Sequence, residues 1–427
     1  MNQDDGGRTG SSQGNMGRKI NAPKHGASCA GGPYFRPQPP IELSGMTVPQ
    51  YHIDAVRARI PLLAHAIPLN NCSQAPLTFS TRDAAERYME SWGTRAMDWD
   101  AWMKEVEACR DAFATMIRAS TDEIGLVSSV SHATSAIASA LRFDNGRNEI
   151  VASGAEFPTV GHVWLAQEPR GARVRWVPVR GGTVPLEGYA AEISERTAIV
   201  SAAHAYYQNG ALQDVAAIAR LARERGALSY VDAYQSVGVV PIDVKAMGVD
   251  MLASGTLKYL MGTPGIAFLY VRREVIEQLE PTITGWFGRA NPFAFDATQL
   301  DWSTTASRFD AGTPPVFAAY VSCAAMEWLL EIGAAPIHAW TQHLSRYLAE
   351  GALARGLRIH GPGLAAPKTP STAILCEDSH AAEEGLRARK VIGSARGPAI
   401  RLAPHFYNTE ADIDHGLDAL VEVLKRR

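Results

Sequence analysis

The chain has 427 residues, 46% apolar and 20% charged, enough to build two domains around a sizeable core. Its net charge of −3 excludes an electrostatic drive toward nucleic acid or an acidic membrane, and with no apolar run of 18 residues no bilayer-spanning helix is expected. The five cysteines (Cys29, Cys72, Cys109, Cys323, Cys376) share no metal-ligand or redox spacing, so idle thiols in a reducing compartment, the cytoplasm, are expected, without disulfides or a metal site.

Residues 1–45 are rich in Gly, Ser, Asn and Pro and read as a disordered arm. They lack the apolar stretch of a secretory signal, and Asp4 and Asp5 argue against a transit peptide. Residues 46–80 are read as a segment packing with a C-terminal small domain. From about residue 82, "TRDAAERYMESW" and "DWDAWMKEVEACRDAFATMI" repeat apolar residues at helical steps. Short apolar runs then alternate with helical stretches: "EIGLVSS", "EIVASG", "RVRWVPV", "TAIVSAAHA", "ALSYVDA" and "VDMLASG" read as strands. This alternation predicts an α/β large domain over 81–310, a mainly parallel sheet between helices. "GIAFLYV" follows its predecessor too closely for a crossover helix and is expected to run antiparallel. Residues 311–427 read as a smaller α+β domain with a long helix, strands "STAILCE" and "AIRLAPH", and a closing helix.

Ligands of open α/β sheets bind beyond the carboxyl ends of the strands. There "LSYVDAYQS" delivers Asp232 and Gln235, and "VDMLASGTLKYLMG" delivers Ser254, Thr256 and Lys258. Either Asp232 or Lys258 alone reads as surface decoration. Together, on consecutive strands, they form the pair that pyridoxal 5′-phosphate (PLP) chemistry needs: an amine to hold the cofactor as a Schiff base, and a carboxylate to keep its pyridine nitrogen protonated. Burial lowers such a lysine's pKa and frees its amine.

On "YVDAYQSVGVVPIDV", "DMLASGTLKYLMGTPGIAFLYV", "SRFDAGTPPVFAAY" and "AIRLAPHFYNTEADID", the chain over residues 65–427 resembles the class V aminotransferase family of fold-type I PLP enzymes. That group includes cysteine desulfurases, selenocysteine lyases, kynureninases and isopenicillin N epimerase-like proteins. The resemblance implies that Lys258 carries the cofactor, Asp232 faces the pyridine nitrogen and Gln235 the phenolic oxygen. It implies phosphate contacts from Ser254, Thr256 and the helix start at Ala133 and Thr134, where the bland alternative for Thr134 is an ordinary cap. Phe157 in "AEFPTV" matches a ring-stacking residue, against an ordinary core Phe; His204 matches a site histidine, against a structural one.

Arg401 matches the clamp for the substrate carboxylate, against an inward charge on the small domain's sheet. Arg396 reads as an entrance or surface residue. Gly312 and Thr313 in "GTPP" imply contact with the phosphate of a neighbouring subunit, hence a homodimer with shared sites. Trp286, Phe287 and Asn291 in "TGWFGRANPFAF" are matched to the substrate pocket.

The residues before Arg401, "DSHAAEEGLRARKVIGSARGPAI", contain no cysteine, which counts against a persulfide-forming desulfurase. The leading expectation is a lyase acting on an amino acid's side chain. An aminotransferase or epimerase is the alternative; the former needs a second carboxylate pocket, with only Arg289 or Arg396 to offer. An inactive binding module is disfavoured because Lys258, Asp232 and Arg401 are all present. A nicotinamide dehydrogenase lacks its G-x-G-x-x-G turn.

Overall fold

A computed structural model describes residues 48–364 and 366–425. The arm read over 1–45, with Cys29, lies outside them. In chain order come α1 (Ile53–Arg57), β1 (Ile67–Pro68), α2 (Phe79–Arg95), α3 (Trp99–Ile117), β2 (Ile124–Val127), α4 (Val130–Ala140), β3 (Glu149–Ser153), α5 (Pro158–Leu165), β4 (Arg173–Val177), α6 (Leu186–Glu192), β5 (Thr197–Ala203), α7 (Val215–Glu224), β6 (Leu228–Asp232), α8 (Val244–Met247), β7 (Met251–Gly255), β8 (Ala267–Val271) and α9 (Arg273–Ile276). They are followed by α10 (Val316–Ile332), α11 (Ala334–Ala354), β9 (Ile359–His360), β10 (Thr372–Leu375), α12 (Ser379–Arg387), β11 (Val391–Ile392), β12 (Ser394–Arg396), β13 (Ala399–Leu402) and α13 (Glu410–Lys425).

The seven-stranded sheet has the order β2-β8-β7-β6-β5-β3-β4. Its pairs from β7 through β6, β5 and β3 to β4 are parallel, whereas β8 runs antiparallel to both β7 and β2. The central strands are apolar runs because helices cover both faces, and β6, β7 and β8 bury nearly every side chain. Edge strand β4 instead exposes Arg173 and Arg175, charges that discourage pairing with another chain. Helix α7 shows how the connections are built. Asp214 caps it by accepting the Ala217 N–H at 2.9 Å, Ile218 and Ala222 face the core, and Gly226 takes the left-handed φ of 66° just beyond its end.

A four-stranded antiparallel sheet, β12-β13-β10-β9, packs under α11, α12 and α13, with Leu344, Leu348, Ile374, Leu386, Ile400 and Leu417 in its core. The segment before α2 ties into this region: β1 pairs in parallel with β11, and Asn70 bridges to Ala403. It then reaches the loop after β7, where the Ala75 N–H donates to the Leu257 carbonyl at 3.0 Å. Residues 70–75 thus lie between the strand that carries Arg401 and the loop that carries Lys258. No single helix among the described residues is long and apolar enough to cross a membrane.

Candidate active site

Strands β6 and β7 are parallel neighbours, so their carboxyl ends open on one edge of the sheet. Asp232 closes β6 and Lys258 follows β7 by three residues. Both line a cavity of 410 Å³, together with Cys72, Ser73, Ser128, Ser129, Val130, Ser131, Phe157, Ala205, Tyr207, Tyr234, Gln235, Leu257, Arg396 and Arg401. The Asp232 carboxylate accepts the Tyr234 N–H at 2.9 Å, which fixes its rotamer. Gln235 donates from Nε2 to the Cys72 carbonyl at 2.9 Å. The Tyr234 ring folds over the end of β7 because residue 255 is glycine; a Cβ there would lie 2.3 Å from Tyr234 ring atoms. The Lys258 Nζ sits 4.0 Å from the centre of that ring and 5.6 Å from that of Phe157.

Burial pulls the Lys258 pKa down to about 8, with Asp232 opposing and Arg401 and Arg396 assisting. Burial raises the Asp232 pKa, against the Tyr234 N–H and the Lys258 charge, which both favour the carboxylate. Phe157, at the start of α5, lines the cavity with its ring 5.2 Å from that of Tyr207, edge to face. It is 40% exposed, which removes the core-residue explanation.

Arg401 is 1% exposed and makes no ion pair among the described residues. Its Nη1 donates to the Tyr207 carbonyl, its Nη2 to Ser73 at 2.8 Å and Ser394 at 2.7 Å, and its Nε has no protein acceptor. A buried guanidinium without a counter-ion favours an anion at the cavity wall. Arg396 is exposed and lines the same cavity.

Several expected site residues lie elsewhere. Helix α4 begins at Val130, with Ser129 as N-cap accepting the His132 N–H at 3.1 Å, one turn before Ala133 and Thr134. Both are fully buried; the Thr134 hydroxyl donates to the Val130 carbonyl and meets Tyr230 at 2.6 Å. The helix start that faces the cavity is therefore Ser129–Ser131, where first-turn N–H groups lack intrahelical acceptors.

Ser254 and Thr256 are buried and do not line the cavity. Ser254 donates to the Gly255 carbonyl, and Thr256 donates to the Thr263 carbonyl while accepting from Ser322 of α10. Leu257 takes their place on the wall. His204 is buried behind it, with Nδ1 2.9 Å from the Ser236 hydroxyl and its pKa pulled to about 4 by burial, so it is a neutral structural histidine. Its neighbours Ala203 and Ala205 face the cavity instead.

Trp286 and Asn291 do not line the Lys258 cavity of their own chain. Trp286 stacks among Trp99, Phe287, Phe293 and Phe295 beside a separate 520 Å³ cavity, and Asn291 accepts the Phe293 N–H. Gly312 and Thr313 are exposed and line a separate 160 Å³ cavity. Cys72, Ser73, Ser129, Ser131, Tyr207 and Tyr234 line the main cavity without having been expected there; only Ser129 carried a local signal, its position before a helical run.

Glu156, also missed, is 5% exposed behind Asp232 and makes no ion pair among the described residues. Burial first, and then the Asp232 charge, push its pKa up to about 8. Its folded pKa exceeds the ordinary value, so its contribution to stability is complete below about pH 4.5 and is lost as pH rises toward 8. Glu156→Gln keeps the neutral shape at every pH. Denaturation at pH 5, 7 and 8.5 is expected to show a stabilisation that grows with pH, to about 3–5 kcal/mol at the alkaline end. A variant less stable than the wild type at pH 8.5 would show that the carboxylate form is favoured.

A second buried lysine, Lys368, has its pKa pulled to about 7 by burial, but it donates to Ser345 at 2.9 Å and Thr372 at 2.7 Å beside a different cavity. Low lysine pKa alone therefore does not mark the site; the partnership with Asp232 does.

The family model described as aminotransferase class-V matches residues 83–390. The chain is 37% identical over 372 residues to an uncharacterized aminotransferase, YcbU, of Bacillus subtilis (strain 168), covering 85% of this chain and 96% of that one. It is 27% identical over 355 residues to a kynureninase of Pseudomonas fluorescens, covering 79% and 84%. Its fold is shared with the apo cysteine desulfurase of Thermococcus onnurineus NA1, at a TM-score of 0.80 and 21% identity, over 89% of this chain and all of that one. The fold-type I expectation is thereby met.

Proposed function

The chain belongs to the class-V aminotransferase family of PLP-dependent enzymes, and from that premise we propose that it is a lyase acting on the side chain of an amino acid. The residues fit the cofactor. Lys258 would hold it, with Asp232 toward its pyridine nitrogen, Gln235 toward its phenolic oxygen and Phe157 against its ring. The first turn of α4, Ser129–Ser131, takes its phosphate, an assignment that moves the role one turn from Ala133 and Thr134. When bound, PLP draws electrons from the substrate Cα. Arg401 would receive the substrate carboxylate and set Cα toward Lys258. The Lys258 amine, with its pKa near 8, takes the Cα proton and returns one, close to the operating pH where such transfer is most efficient. The Tyr234 N–H and the Lys258 charge favour the Asp232 carboxylate, against its burial.

One observation carries the lyase reading: Arg401 is the cavity's single buried guanidinium without an acidic partner among the described residues. An aminotransferase that exchanges two acids gains from a second such group. Arg289 pairs with Asp301 and donates to the Asp296 carbonyl beside another cavity, and Arg396 stands exposed at the rim. The aminotransferase reading is favoured by the name of the Bacillus relative and by Arg396, should it take a second carboxylate. In this reading residues 81–310 form the cofactor domain, 311–427 the small domain, and a homodimer brings Gly312, Thr313 and the Trp286 loop to the partner's site.

The test is a panel of amino acids given to the holoenzyme without an added keto acid. Stoichiometric ammonia release over many turnovers supports the lyase. A single turnover that stops with the cofactor in its amine form, and resumes when a keto acid is added, overturns it in favour of the aminotransferase.

A further inference from the structure

Cys72 belongs to neither strand that delivers Asp232 or Lys258, yet it lines their cavity. Its segment is clamped on several sides. The Asn71 N–H and side chain both donate to the Ala403 carbonyl, at 3.3 and 2.8 Å. The Ala75 N–H donates to the carbonyl of Leu257, immediately before Lys258. Gln235 holds the carbonyl of Cys72 itself, and Ser73 accepts from Arg401. These bonds fix the Cys72 backbone on the wall shared by the guanidinium and the lysine. Lys258 shares that wall with both Cys72 and Arg401. On the same cavity wall stands the Arg401 guanidinium, which is 1% exposed and has no acidic partner among the described residues. A carboxylate set on Arg401 brings the rest of an amino acid past Cys72 toward Lys258. The Ser73 hydroxyl is engaged with Arg401 and Ser394, and Lys258 is committed to the cofactor. Beside the hydroxyls of Tyr207 and Tyr234, the Cys72 thiol is thus a group of this cavity able to give up a proton.

We propose that Cys72 is a further catalytic residue: its Sγ–H meets the substrate side chain and gives its proton to the departing group. As the bond from Cβ to the leaving atom breaks, the electron pair goes with that atom, which takes the proton from Sγ. Water returns a proton to the thiolate before the next turnover, and nothing is oxidised or reduced. The inference rests on the lyase reading and deepens it, by selecting amino acids whose leaving group, such as a thiolate, is poor until protonated.

The experiment compares two amino acids on the holoenzyme, following release of pyruvate and ammonia. S-ethyl-L-cysteine must lose a thiolate, which needs a proton; β-chloro-L-alanine loses chloride, which does not. Cys72→Ala is expected to lose about 10²-fold or more in kcat with the first and to stay within about threefold with the second. Cys72→Ser is expected to fall between. The chloroalanine rate and the visible cofactor band report on folding of the variant. Independently, iodoacetate is expected to alkylate Cys72 faster than neutral iodoacetamide does, because Arg401 gathers its carboxylate; peptide mapping locates the label. Equal losses on both amino acids, no loss on either, or a Cys72 that stays unlabelled while the unfolded chain labels would each overturn the role of Cys72 alone. A wild type that turns over neither amino acid would overturn the lyase reading, and the inference with it.

Discussion

Lys258→Ala is expected to give a folded, colourless protein with activity reduced by about 10²–10⁴-fold, since it loses both the anchor for the cofactor and the proton carrier at Cα. Folding should not suffer, because the native amine is a buried charge below its pKa of about 8 and costs the fold rather than supporting it. The folded pKa lies below the ordinary 10.5, so between pH 8 and 10.5 the unfolded chain binds more protons and the wild-type apoprotein gains stability as pH rises. Below pH 8 the full cost, about 3 kcal/mol, is present. The alanine variant of the apoprotein should therefore be the more stable one at pH 7, apart from the small cavity it leaves, and the difference should shrink toward pH 10. Denaturant titration at the two pH values measures it. A variant that unfolds more easily at pH 7 than at pH 10, relative to wild type, would contradict a desolvated amine.

Asp232→Asn is expected to keep the fold, because the amide oxygen can still accept the Tyr234 N–H that Oδ1 accepts now. The charge is lost. A pyridine nitrogen deprived of an adjacent carboxylate has its pKa lowered by about 1–3, so at neutral pH the ring is no longer held protonated and its pull on Cα weakens. The expected outcome is a protein that binds PLP and shows a visible band with altered pH dependence, while turnover falls on the order of 10²–10⁴-fold. Activity within a few-fold of wild type would move the nitrogen's partner elsewhere, and Glu156, the nearest other carboxyl with a raised pKa, would be the residue to replace next.

The sheet was legible because its strands are buried on both faces and so appear as apolar runs broken by turns and amphipathic helices. The antiparallel setting of β8 followed from the short connection at Gly262–Gly265, and the end of α7 from Gly226. Asp232 and Lys258 were paired because both stand at the carboxyl ends of neighbouring strands, Asp232 closing β6 and Lys258 three residues beyond β7.

Two physical reasons set other residues on the cavity wall than those expected there. In "SSVSHAT", Ser128, Ser129, Ser131 and Thr134 are all able to cap a helix, and only the tertiary packing of Thr134 against Tyr230 decides that α4 starts a turn earlier. Ser254 and Thr256 lie beside Lys258 in sequence, but Thr256 is turned away by its bond to Ser322, 66 residues on, and Leu257 faces the cavity. Cys72 and Ser73 reach the site through contacts with residues 163 and 328 positions away, and no local pattern announces such contacts. Arg401 was placed by resemblance, and its burial without an acidic partner is what gives it a physical role.

Reducing the PLP-loaded protein with borohydride and mapping the phosphopyridoxyl group by peptide mass tests whether the cofactor is held on Lys258 opposite Asp232. One labelled peptide is expected, carrying the group on Lys258, and it is expected to disappear in Lys258→Ala. Label on Lys368, the other buried lysine with a lowered pKa, or no label in a protein that remains active, would contradict it.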